Sequence, residues 1–393
     1  MTTRDSLTLK AIDIARNVKN LAILLPTGLG KTKIALEIMN SGYNGNGYGN
    51  WLIVIAERAH KKNWIDDIYK HQFDRLLQSI TFVCYASLKK YESSSYDGVI
   101  YDEGHRMLAP SYIKVIPTII TKKTLILTAT MSSKEIDLVS NSIGPITSFK
   151  YSLSNAIDAD ILPVPKVHLV ALELDNTIVN QSFSITKGKI PLRVYKFCNF
   201  NERWNVLKNL SDVNLTVRCT ELEKYSYLCS QIDYYQLQYY KTNQLAIKNK
   251  WLQLATQRKR FIADLKTNHV REVIKNYQDR FICFAGSIKQ CNELGGVKNI
   301  VHSKVSNPQQ IIDDFNDRKI NQLFVVDMLR EGMNLVDTNV IIVQLDSKSR
   351  SCCQMLGRSL RKKEPVIHIF YYKNTQDEIY MNNSLEEFKE YVV

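Results

Sequence analysis

Leu21-Ala22-Ile23-Leu24-Leu25-Pro26-Thr27-Gly28-Leu29-Gly30-Lys31-Thr32 is the stretch from which this chain is read. Its first five residues are uniformly apolar, as in a strand buried on both faces, and Lys33 to Asn40 has helical spacing. Strand, glycine-bearing turn and helix in that order aim a row of backbone N–H groups from a helix N-terminus, where the dipole favours negative charge. Gly28 and Gly30 let that backbone approach an oxyanion without a Cβ in the way. Lys31 adds a point charge suited to phosphate, and Thr32 a hydroxyl suited to Mg²⁺. The loop Pro26, Thr27, Gly28, Leu29, Gly30, Lys31, Thr32 is therefore expected to cradle the β- and γ-phosphates of a nucleotide. The general pattern has Gly or Ala where Leu25 stands, so this is a variant form.

Working outward, short apolar runs alternate with helical stretches. Trp51 to Ala56 reads as a strand and is followed by a helix through His71. Ile80 to Tyr85, Gly98 to Tyr101 and Thr124 to Leu127 are further short strands. This rhythm predicts a parallel sheet with helices on both faces. Asp102 and Glu103 then fall at the carboxyl end of a buried strand, the edge where such sheets bind ligands. Asp102 is suited to hold Mg²⁺ through water, and Glu103 to orient or deprotonate an attacking water. Their position about 70 residues after Lys31 makes ATP hydrolysis the implied chemistry.

A turn-rich passage runs from Gly144-Pro145 to Leu162-Pro163-Val164-Pro165, and the α/β rhythm returns at Phe281-Ile282-Cys283-Phe284. The fold class predicted is α/β, two tandem RecA-like parallel-sheet lobes with a helical insert. The expected divisions are a first, ATP-binding lobe over 1–148, a linker over 149–165 and a first strand region of the second lobe over 166–193. A basic helical insert without strands is expected over 194–275, and the rest of the second lobe over 276–393.

With 393 residues, two or three domains are the natural expectation, and 45% apolar residues suit globular cores. No run approaches the ~20 apolar residues of a membrane span. Residues 1–16 lack a secretory apolar core, so an intracellular protein is expected, in the host cytoplasm if viral. The eight cysteines form no CxxC pair or Cys/His cluster, and reduced structural thiols are expected. A net charge of +13 points to a polyanionic partner. From Thr186 to Lys275 there are 17 Lys and Arg against 7 Asp and Glu, so most of the excess sits in the insert.

Taken in order, the motifs resemble those of superfamily 2 helicases and translocases. PTGLGKT (Pro26 to Thr32) looks like motif I, and Asp102-Glu103-Gly104-His105 is a DEGH form of the DEAD/DEAH box. Thr128-Ala129-Thr130 resembles motif III, and Phe281 to Ser287 motif IV. Asp327 to Leu335, with Gly332, is similar to motif V, and Gln354 to Arg361 fits the QxxGRxxR of motif VI. Ile161 to Pro165 and His302-Ser303-Lys304 give the chain a compact, phage-type or Swi/Snf-like flavour. The resemblance implies that Arg358 and Arg361 reach the γ-phosphate from the second lobe, with Gln354 beside the attacking water. It implies that His105, Thr128 and Thr130 couple phosphate state to lobe position. It also implies that Arg58 in motif Ia and Tyr85 in motif Ib contact the nucleic-acid backbone. Thr8 stands where the family has its adenine-reading Gln, so the adenine contact of the family is missing.

The function expected is an ATP-dependent DNA helicase in replication, recombination or repair, using ATP and Mg²⁺ and binding DNA rather than RNA. Rings such as Trp204, Tyr234 and Trp251, interleaved with Arg258, Lys259 and Arg260, suit base stacking and phosphate tracking on single strands or forks. The same rings at helical spacing also suit plain helix packing. A double-strand translocase or strand-reannealing motor, an RNA helicase, a restriction-system motor subunit and an ATP-gated clamp remain open alternatives. Other replication or recombination proteins are possible partners.

Overall fold

The short apolar runs build one sheet in the first lobe. β1 (Asn20–Leu24), β2 (Trp51–Ile55), β3 (Ile80–Cys84), β4 (Ser95–Asp102), β5 (Ile120–Thr128) and β6 (Ile146–Lys150) lie in the order β3-β2-β4-β5-β1-β6. Every neighbouring pair is parallel. The computed structural model describes residues 3–41, 49–129, 131–188, 194–326, 337–345, 355–357 and 359–393. Because side chains alternate across a strand, Leu21, Ile23, Ile53 and Leu125 join one apolar cluster while Ala22, Leu24, Val54 and Ile126 join another. Burial on both faces explains why β1 and β2 read as unbroken apolar runs.

The expected linker is a correction. β6 pairs with β1 from Asn20↔Ile146 to Leu24↔Lys150, so the first sheet continues past residue 148. A helix, Leu153–Asp158, then buries Leu153, Ala156 and Ile157, in the same cluster as Leu162. Gly144 and Pro145 turn the chain into another strand instead of ending the lobe, which turn composition alone does not distinguish.

β7 (Lys166–Leu172) opens the second lobe, and β8 (Gln181–Lys187), β9 (Val194–Asn199) and β10 (Val213–Cys219) follow. These last three form a separate sheet in the order β8-β10-β9, antiparallel on one side and parallel on the other. The expectation of a helical 194–275 without strands is therefore corrected. Buried Val213, Leu215 and Val217 alternate with Asn214, Thr216 and Arg218, a one-face strand pattern that the polarity of the passage masks. The remainder is helical as expected: Glu221–Thr242, Leu245–Leu265 and Thr267–Lys275. A Thr220/Glu223 capping box starts the first of these, and Asn243 in the left-handed region turns the chain into the second.

β11 (Phe281–Phe284), β12 (Ile300–Val301), β13 (Gln322–Val325), β14 (Asn339–Ile342) and β15 (Val366–Tyr372) complete a second parallel sheet with β7, in the order β12-β13-β11-β14-β15-β7. The chain is thus α/β with two six-stranded parallel sheets, as expected of two RecA-like lobes. Lys266, where the helical hairpin meets this lobe, is fully buried and pairs with Asp377 at 2.5 Å. The same ammonium donates to the carbonyls of Val343 and Phe370 at 2.7 and 2.9 Å.

Candidate active site

The carboxyl ends of β1 and β4 open onto a cleft of about 1190 Å³ that takes walls from both lobes. The first lobe contributes the loop from Thr27 to Lys33 together with Asp102 and Glu103. The second contributes Leu360 to Lys363. The sequence separates Lys31, Asp102 and Arg361 widely, and the fold brings all three to one space.

Gly28 and Gly30 have φ of 93° and 82°, the left-handed region that costs a side-chain residue strain. Their backbone bends the chain around so that the helix Lys31–Asn40 starts immediately. A Cβ on Gly28 would also touch Leu162 at 3.5 Å. Lys31 Nζ donates to the carbonyls of Leu25 and Pro26, at 3.0 and 3.4 Å, across the mouth of the loop.

Asp102 ends β4 with both carboxylate oxygens engaged. Oδ2 accepts the indole N–H of Trp64 at 2.9 Å, and Oδ1 accepts the backbone N–H of Glu103 at 3.0 Å. Glu103 has φ 48° and ψ 54°, an uncommon conformation for a residue with a side chain and one that concentrates at functional sites. Gly104 after it has no room for a Cβ, which would sit 2.2 Å from Ile126 Cγ2. His105 Nδ1 lies 3.6 Å from Glu103 Oε2. Thr128 is fully buried, and its carbonyl accepts the N–H of Leu25, tying β5 to the start of the phosphate loop.

Sequence reasoning missed one face of the helix Arg58–Lys70. His60, Asn63, Trp64, Asp67 and, just past its end, His71 line the cleft at helical spacing. Burial raises the pKa of Asp67, while Lys70, His71 and Arg361 and a hydrogen bond with the Thr32 side chain pull it down. Burial lowers the pKa of Arg361, and Asp67 acts against it. Asp67 therefore sits between Thr32 of the phosphate loop and a guanidinium from the other lobe. The polar stripe at positions 60, 63, 67 and 71 was the available signal.

Residues 265–363 match the helicase conserved C-terminal domain family. That match spans about a quarter of the chain and lies in the second lobe. The phosphate loop and Asp102-Glu103 lie in the first lobe, outside the matched residues. No curated protein matches the chain in sequence. Among solved structures, the Hef helicase domain of Pyrococcus furiosus is similar over 98% of this chain and 97% of that one, at 16% identity and a TM-score of 0.49.

The other expected residues divide into three groups. Gln354, Arg358, Thr130 and Gly332, with the rest of the motif V run, lie outside the described residues. Tyr85 is a correction: it is buried, its ring lies tilted against those of Tyr101 and Tyr112, and its hydroxyl donates to the Asp102 carbonyl at 3.1 Å. Burial pushes its pKa well up, and a ring so enclosed cannot reach a nucleic-acid backbone. Arg258 is half-buried and donates to Cys229 Sγ at 3.2 Å and Gln376 Oε1 at 3.5 Å. Arg58 and Arg260 are exposed, and Lys259 is half-buried. Among the described residues, six cysteines are free thiols, no trio of His, Cys, Asp or Glu is placed to hold a metal, and no helix is long and apolar enough to cross a membrane.

Proposed function

We propose that this chain is a nucleic-acid-stimulated ATPase whose cycle drives a compact, phage-type DNA helicase, at work in replication, recombination or repair. One observation carries the reading: Lys31, Thr32, Asp102 and Glu103 from one lobe and Arg361 from the other line a single cleft. Lys31 exchanges its two loop carbonyls for β- and γ-phosphate oxygens. Glu103 takes a proton from the attacking water as that water's oxygen bonds to the γ-phosphorus and the bond to the β–γ bridging oxygen breaks. Arg361 spreads its guanidinium fork over the transferred phosphoryl oxygens, as Arg358 does by resemblance.

Mg²⁺ fits the donors present. Thr32 and Asp102 are hard oxygen groups, and this ion needs only one or two carboxylates when phosphates supply the rest. When bound, it would neutralise charge on the β- and γ-phosphates.

Phosphate contacts from two lobes favour a closed cleft, and their loss after hydrolysis favours an open one. DNA is preferred over RNA because of the DEGH sequence and the basic insert. The test is steady-state ATPase of wild type and Lys31→Ala, without nucleic acid and with single-stranded, duplex and forked DNA and RNA. Lys31→Ala should lose hydrolysis by at least ~100-fold and keep DNA binding. Full hydrolysis in that variant, or stimulation by RNA alone, overturns the assignment.

A further inference from the structure

The small sheet β8-β10-β9 has two faces of different chemistry. One is packed: Val213, Leu215, Val217 and Cys198 are buried, with the partly buried Val206 and Leu207 of the helix Arg203–Asn209 against them. The other is open. On it the register sets Tyr195 beside Asn214 and Thr186, and Phe197 beside Thr216 and Ser184. The last row of the same face pairs Asn199 with Arg218 and Arg218 with Ser182. Tyr195 is 71% exposed and Phe197 72%.

Two rings two residues apart on one strand stand ~7 Å apart on the same face. Exposed aromatic pairs on an edge strand promote aggregation unless they have an occupant. The neighbours say which occupant. Apart from the rings, this face carries hydroxyls, amides and one guanidinium, and no aliphatic side chain. The core of a protein–protein interface is more apolar than that. A nucleobase needs what is here, a π-face to stack on and hydroxyl or amide groups to meet its edge. The charge agrees, since Thr186 to Lys275 holds 17 basic against 7 acidic residues.

We propose that the open face of β8-β10-β9 is a platform for single-stranded nucleic acid, with successive bases stacked on Tyr195 and Phe197 and a phosphate held by Arg218. The platform rests on the nucleic-acid reading above and adds to it a grip outside the ATP cleft. Neither ring lies in the cleft lining, so the platform acts without nucleotide.

The test uses the full chain and a dye-labelled oligothymidylate, with affinity read by fluorescence anisotropy. Tyr195→Ala/Phe197→Ala should weaken binding by roughly 10-fold or more, and Tyr195→Phe/Phe197→Tyr should stay within ~2-fold of wild type. ATPase without nucleic acid should be unchanged in both. Photocrosslinking of an iodouracil-bearing strand should map to β9. Equal affinity of wild type and the double alanine variant overturns the platform and leaves the nucleic-acid reading standing. Absence of binding by wild type to any strand overturns both. Unchanged affinity, together with a wild-type dimer that the alanine variant loses in sedimentation, reassigns the face to protein docking.

Discussion

The indole N–H of Trp64 donates to Oδ2 of Asp102 at 2.9 Å, from a helix whose opposite residues face solvent. It fixes the carboxylate that ends β4, while the Glu103 N–H holds the other oxygen at 3.0 Å. Trp64 is thus a positioning residue. A hydrogen bond to a charged group contributes about 1.5–3 kcal/mol. Trp64→Phe should therefore lower kcat for ATP ~10-fold and raise the Mg²⁺ concentration for half-maximal activity. An unshifted Mg²⁺ titration would reduce Trp64 to packing.

Glu103 and Arg361 act on the same transition state from opposite walls. Glu103→Gln should cut hydrolysis by ~10²–10⁴-fold and leave nucleotide affinity within a few-fold. Arg361→Ala should cost ~10³-fold or more. Single-turnover hydrolysis beside equilibrium nucleotide binding separates the two effects. Weak binding with a normal hydrolysis step in either variant would contradict these roles.

The Lys266–Asp377 pair holds the helical hairpin on the second lobe. Both side chains are buried, and Asp377 also accepts Gln344 Nε2 at 2.8 Å and the Tyr372 N–H at 3.0 Å. Removing one partner leaves a buried charge, so Asp377→Ala should destabilise by ~3–5 kcal/mol. Denaturant midpoints measure this directly. Lys266→Met combined with Asp377→Leu should recover part of the loss.

His168 of β7 and His368 of β15 are register partners whose rings stack with centroids 5.0 Å apart. Burial first, and then His168, lowers the His368 pKa to about 4 from 6.5. The unfolded chain binds the proton more readily across that window, so stability falls as pH drops from 6.5 toward 4. His368 is half-buried, and after solvent screening the loss is ~1–2 kcal/mol. His368→Phe should flatten the Tm profile between those limits, whereas an unchanged slope would place the titration elsewhere.

Much of the site was legible because phosphate chemistry leaves local marks. The glycines of the loop, Lys31 and Thr32 are contiguous, and Asp102-Glu103 follows a strand that advertises its burial. Gly104 was legible as part of DEGH, though the reason for it, Ile126 2.2 Å from where a Cβ would sit, was not. Tyr85 misled because sequence gives residue type and not direction. A tyrosine after a strand looks the same whether it faces solvent or a neighbour. Asp67 escaped for the opposite reason, since a carboxylate on a polar helix is unremarkable until Thr32 and Arg361 close around it.

By itself, the sequence determined the α/β alternation, the phosphate loop, the acidic pair at a strand end and the ordered motifs. Each of these depends on residues adjacent in the chain or on the period of one element. Tertiary structure alone decided that Trp64 orients Asp102, that the passage from 149 joins the first lobe, and that Tyr195 and Phe197 share an open face. These depend on which distant segments meet, and contacts between distant segments are set by packing the whole core, where no local pattern records them.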